Sequence, residues 1–157
     1  MNLNLMTLNA RGLNDPGKID KLRLYMGSTK PTIDVLLVQE HKLRGQKAAE
    51  LGRLIDRNAI FFYNEAEPGY GELDGIEGAS KGGTAILINQ RWSFQILASG
   101  SLFWGRALWV IFKDHPRGYL GVLNVYAPND QSERRSFWQT LQEAIPRDVR
   151  WILGGGF

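Results

Sequence analysis

Three places in the sequence set polar side chains directly after apolar runs, where a strand holds a group rigidly and the loop beyond leaves room for a ligand. Asn9 follows the alternating residues of TLNARGL, Gln39 and Glu40 end IDVLLVQE, and Tyr126 and Asn129 flank the proline-stiffened turn of NVYAPN. Each residue type has an ordinary use alone: Asn forms turns, a Glu after a strand is solvated, and a Tyr before Ala-Pro packs with its hydroxyl partnered. Together they offer one hard-metal ligand, amides and a phenol. That set suits a single magnesium or manganese ion held by few carboxylates plus substrate phosphate, because such an ion keeps several waters.

Other chemistries find less support. His41 adjoins Glu40, but neighbouring strand residues point to opposite faces, and His115 lies in KDHPRG, which has the composition of a hairpin turn. The absence of cysteine excludes disulfide scaffolds and thiolate metal sites. Arg11, Lys42 and Arg44 lie close to the proposed site in sequence; they suit phosphate contacts and equally suit solvated loop positions. Gly154-Gly155-Gly156 is no phosphate-binding P-loop, since neither a Lys-Ser/Thr pair nor a helix follows it.

The elements that must position these residues are marked by periodicity. Alternation predicts a strand over Leu3 to Asn9 with both faces covered, and Asp15-Pro16 opens a helix that Gly27 ends. Ile33 to Gln39 has the unbroken aliphatic character of a strand buried on both faces, and a second helix turns Ala48, Leu51, Leu54 and Ile55 inward. Ile60 to Tyr63 predicts a short strand, and the acidic, glycine-rich stretch 64–83 predicts a long, mobile loop. Further strands are expected at Thr84 to Ile88, Phe94 to Leu97, Leu108 to Phe112, Tyr119 to Val125 and Trp151 to Leu153. Asp130 and Glu133 form a capping box for a third helix carrying Phe137, Leu141 and Ala144 on one face.

With 157 residues, 43% hydrophobic and 22% charged, the chain has the length and apolar content of one domain. Its net charge of +3 permits a polyanionic partner without demanding one. No apolar stretch approaches the roughly 20 residues of a membrane span, and no signal peptide is recognisable at the N-terminus. The reading is of an intracellular protein with no membrane partner and no internal repeat.

In order and spacing, TLNARGL, DVLLVQEHKL, KGGTAILI, LGVLNVYAPN and WILGGGF resemble the exonuclease-endonuclease-phosphatase superfamily, and within it the apurinic-endonuclease-like domain of non-LTR (LINE-type) retrotransposons. The resemblance covers essentially the whole chain. It implies an α/β fold in which two sheets form a sandwich flanked by helices, with a divalent-metal site at the sheet edges. It assigns Glu40 to magnesium, supported by Gln39, and Asn9 to arranging metal, phosphate and nucleophile. Tyr126 is assigned to the pentacovalent phosphate and Asn129 to the polar end of its motif. The implied reaction is hydrolytic nicking of one DNA strand, leaving a 3′-hydroxyl that primes a fused reverse transcriptase; the implied location is nuclear.

Two departures qualify that expectation. Family members continue the last strand as Gly-Asp-Phe-Asn, whereas Gly156 holds the Asp position here and the sequence given stops at Phe157; the family's Ser-Asp-His motif is also absent. Catalytic groups that act as a unit are not separately dispensable. The expectation is therefore one partial domain over residues 1–157, incomplete at its C-terminus, monomeric or prone to aggregate, and inactive as it stands. The alternatives are a non-catalytic remnant and a phosphatase of the same superfamily.

Overall fold

The computed structural model describes residues 1–68 and 80–156. Its elements run β1 (Leu5–Asn9), α1 (Pro16–Ser28), β2 (Val35–Gln39), α2 (Gly45–Ile55), β3 (Ile60–Asn64), β4 (Thr84–Ile88), a 3-10 turn (Gln90–Gln95), β5 (Ile96–Leu102), β6 (Ala107–Lys113), β7 (Tyr119–Tyr126), α3 (Gln131–Ala144) and β8 (Arg150–Gly156). They form two four-stranded sheets, ordered β1-β2-β4-β3 and β5-β6-β7-β8. The β1–β2 and β7–β8 pairs are parallel and the others antiparallel. The fold is the two-sheet α/β sandwich flanked by helices.

Period-two alternation separates the layers. Val35, Leu37, Ile86 and Ile88 of one sheet meet Leu108, Val110, Phe112, Leu120 and Val122 of the other in the inter-sheet core. The alternate residues Leu36, Val38, Ala85 and Leu87 face outward onto Leu22 of α1 and Ala48, Leu51 and Ile55 of α2. On the opposite side, Leu123 and Val125 pack on Phe137 and Leu141 of α3. Each fully buried aliphatic side chain here stabilises the fold by about 1.5–3 kcal/mol.

Local chemistry sets the helix starts. Asp15 accepts from the Gly17 N–H at 2.9 Å and Asp130 from the Glu133 N–H at 3.0 Å, so both expected caps form. Arg44, at the N-cap of α2, provides no side-chain cap; the Glu65 carboxylate accepts from the Gly45 N–H at 2.7 Å instead.

Several expectations need correction. β1 is an edge strand whose Thr7 and Asn9 are exposed, so its faces are not both covered. Residues 90–95, with Phe94 96% exposed, form a 3-10 turn, and β5 follows them, where the sequence suggested a strand over Phe94 to Leu97. β8 runs from Arg150 to Gly156, longer than Trp151 to Leu153, so the glycines belong to the strand. Most of the loop expected over 64–83 lies outside the described residues; at its stem Glu67 pairs with Lys81.

Candidate active site

Because β1, β2, β7 and β8 all run the same way through their pairings or across the sandwich, their carboxyl ends meet at one end of the molecule. Register places Asn9 beside Gln39, and Tyr126 beside Gly156. There the inter-sheet core changes from apolar to amide. Gln39 and Asn124 are essentially fully buried, and the Gln39 Nε2 donates to Asn124 Oδ1 at 2.7 Å and to Thr7 Oγ1 at 3.0 Å. Asn124 Nδ2 donates to the Val38 and Ala85 carbonyls at 2.9 and 2.8 Å. Asn64 Nδ2 donates to the Ala107 carbonyl at 2.8 Å and to Thr84 Oγ1 at 3.2 Å. This polar layer ties both sheets together beneath Glu40 and Tyr126.

Strict alternation would send Glu40 outward with Leu36 and Val38. Its backbone is left-handed, with φ of 57°, and the alternation breaks there. As a result the Glu40 carboxylate accepts a hydrogen bond from the Tyr126 hydroxyl across the sandwich. A non-glycine residue in this conformation costs on the order of 1 kcal/mol and is tolerated where the surroundings impose it. The surroundings do so here: the Glu40 carbonyl accepts from the Gly12 N–H at 2.7 Å, and the Lys42 N–H donates to Gly82 at 2.9 Å.

Burial pushes the Tyr126 phenol up to about 12, the hydrogen bond and charge of Glu40 add to this, and Arg106 opposes it. Near neutral pH the phenol is therefore a donor, not a base. Arg106 lies 5.3 Å over the Tyr126 ring and donates to the Tyr126 carbonyl at 3.2 Å. The sequence reading missed Arg106; its one signal was a cation opening the strand ALWVIFK.

His41 belongs to the scaffold. Its Nδ1 accepts from the Leu43 N–H at 2.9 Å, so Nε2 carries the proton donated to the Asn64 carbonyl at 2.8 Å. Burial pushes it down to about 4, and the ring packs where Gly83 has no side chain: a Cβ there would lie 2.4 Å from it.

The remaining candidates fall at different depths. Gln39 spends its amide nitrogen on the inter-sheet layer, which fixes the end of β2 beneath Glu40. Asn9 is exposed at the end of β1, its Oδ1 accepting from the Arg11 N–H at 3.1 Å. Asn129 is exposed in the turn before α3. Arg11 is exposed, Lys42 and Arg44 are half-buried, and the Arg44 guanidinium sits 5.7 Å over the Trp104 ring.

Gly154 to Gly156 separate by packing. A Cβ on Gly154 would lie 2.5 Å from Leu37 Cδ1, and one on Gly155, at φ 133°, would lie 1.9 Å from the Val125 carbonyl oxygen. At Gly156 a Cβ would meet only Tyr126 Cδ2, at 3.8 Å. A side chain would fit there, beside the phenol.

A hard divalent cation fits this donor set. Glu40 has an oxygen that Tyr126 does not occupy, and a hard cation that keeps most of its waters needs few carboxylates from the protein. No helix among the described residues is long and apolar enough to cross a membrane.

The sequence pattern of the Endonuclease/Exonuclease/phosphatase family matches residues 4–157, and the chain belongs to that family of nucleases and phosphatases. No curated protein sequence matches it. Among solved structures it resembles the AP endonuclease LMAP of Leishmania major, with TM-score 0.65 and 19% identity over 96% of this chain and 53% of that one. It also resembles the 3′ phosphatase NExo of Neisseria bound to a product DNA hairpin, with TM-score 0.62 and 15% identity over 98% and 57% of the two chains. The endonuclease domain of TRAS1, a telomere-specific non-LTR retrotransposon, gives TM-score 0.52 and 13% identity over 96% and 57%. The chain thus spans a little over half the length of these relatives, and at such identities the likeness is one of fold.

Proposed function

We propose that the chain is part of a metal-dependent DNA endonuclease of retrotransposon type, whose whole protein nicks one strand by phosphodiester hydrolysis and carries a reverse transcriptase that works in the nucleus. The observation that carries this reading is the Glu40–Tyr126 contact at the shared carboxyl end of β2 and β7. A bound magnesium or manganese ion would neutralise phosphate charge and activate water there. Glu40 would hold it through its second oxygen, and Asn9 on the neighbouring strand would orient phosphate and water. Tyr126, protonated and positioned by Arg106, would donate to a phosphoryl oxygen as negative charge grows on it. Asn129, Arg11, Lys42 and Arg44 would hold the flanking backbone phosphates.

Gly156 places no carboxylate beside Tyr126, although the site has room for one. This chain is therefore a slow or inactive catalyst that retains metal and DNA binding. A phosphatase remains the second reading, supported by the breadth of the family and by the fold likeness to NExo.

Manganese binding, followed by electron paramagnetic resonance, and nicking of supercoiled plasmid test the proposal together. Glu40→Ala should weaken manganese binding at least tenfold, Gly156→Asp should strengthen it about tenfold, and the unmodified chain should nick no faster than Glu40→Ala. Manganese affinity indifferent to Glu40→Ala would overturn the metal assignment. Glu40-dependent nicking by the unmodified chain would overturn the inactivity.

A further inference from the structure

We infer that Trp104 is a stacking platform for a nucleobase of the strand whose phosphate the site holds; this rests on the proposed action on DNA. Trp104 occupies the tip of the β5–β6 turn and is 52% exposed, although nothing about a hairpin tip calls for a large indole. The turn is fixed on both sides of it. Phe103 is left-handed, with φ of 62°, and packs on Phe137 with ring centroids 4.8 Å apart. A Cβ on Gly105 would lie 2.6 Å from the Gly83 nitrogen, and the Gly105 carbonyl accepts from that N–H at 2.9 Å, so the tip is locked to the loop that lies against Glu40's neighbours. The indole is thus presented on a rigid support, and ordering it on binding costs little.

Charge selects the occupant. The Arg44 guanidinium lies over the Trp104 ring, and Arg106, two residues on, lies over Tyr126. A cleft of about 350 Å3 beside it is lined by Phe103, Arg106, Pro128 and Phe137, and also by Glu67 and Glu133. The two carboxylates repel a phosphate from the cleft. A flat, uncharged base suits it, stacked on the indole, while Arg44 outside the cleft takes the adjoining backbone.

The test compares an eight-nucleotide oligo-dT with an abasic oligomer of the same length and charge, by fluorescence anisotropy in EDTA. Trp104→Ala should weaken oligo-dT binding about tenfold and leave the abasic oligomer within twofold, while Trp104→Phe keeps most of the affinity. Circular dichroism melting confirms that both variants fold, as the exposure of Trp104 implies. Equal weakening of both oligomers, or no weakening of oligo-dT, overturns the stacking assignment alone. Failure of the unmodified chain to bind either oligomer overturns the action on DNA and the stacking with it.

Discussion

Glu40 and His41 are adjacent in sequence and opposite in use: one carboxylate is held for chemistry, the other side chain is locked into the scaffold. The buried imidazole makes the stability of the whole domain depend on pH. In the unfolded chain it titrates near 6.5 and in the fold near 4, so between those values the unfolded state binds more protons. Stability is therefore complete above about pH 6.5 and is lost as pH falls towards 4, by at most about 3 kcal/mol. Urea midpoints measured in EDTA across this range should slope upward with pH, and His41→Gln should flatten the slope; parallel profiles would show that His41 does not supply it. The sequence made part of this legible. An acid directly after five buried positions stood out as a site residue; alternation, the ground for setting His41 apart from it, breaks at Glu40, and His41 is kept in the scaffold by its bonds to Leu43 and Asn64. Tyr126 stood out too, but its contact with Glu40 did not, because the two lie 86 residues apart and the contact depends on a left-handed backbone at Glu40 that no pattern of residue types announces. Arg106 was hidden for the same reason, its importance arising from a ring it meets only in the folded chain.

At the scale of elements, the strands that carry the site were readable because they are buried on both faces, and a continuous apolar run such as that of β2 has few alternatives. β5 was not readable. Its sequence ILASGSL is small and polar, and Gly100 lies against the Trp109 ring, where a Cβ would approach within 2.4 Å. The strand is defined by what its neighbour covers, not by its own side chains. β8 shows the same dependence on context: the glycines beyond the expected Trp151 to Leu153 are strand residues, Gly154 crowded by the facing sheet and Gly155 by β7. This gives the three glycines separable energetics. Gly155→Ala, clashing with the Val125 carbonyl at a φ of 133°, should destabilise by about 3 kcal/mol or more. Gly154→Ala crowds the end of the Leu37 side chain, touching Thr7 only at ordinary contact distance, and should cost about 1–2 kcal/mol. Gly156→Ala should change stability by no more than about 0.5 kcal/mol. Urea unfolding of the three variants checks the order; a Gly156→Ala cost equal to that of Gly155→Ala would mean that position 156 is closed to side chains and could not accept a carboxylate.

Across the whole molecule, the apolar cover of the edge strands is uneven. Each sheet ends in two edge strands, and on one flank these are β1 and β8, each paired along one side only among the described residues. β8 is not blunted in the usual ways. Register puts Ile152 next to Val122 on the inter-sheet face and Leu153 next to Leu123 on the helix face, yet they are 39% and 46% exposed. Apolar side chains on both faces of an open edge favour pairing with another strand, and the only charge on β8 is Arg150, at its far end. The purified chain should therefore self-associate through this edge. Sedimentation velocity should show weight-average mass rising with concentration in the micromolar range, and Ile152→Lys combined with Leu153→Lys should return it to the monomer. Those lysines replace partly exposed side chains, so the melting temperature should stay within a few degrees. A monomeric unmodified chain at high concentration, or association undiminished in the double variant, would show that this edge is not where copies meet.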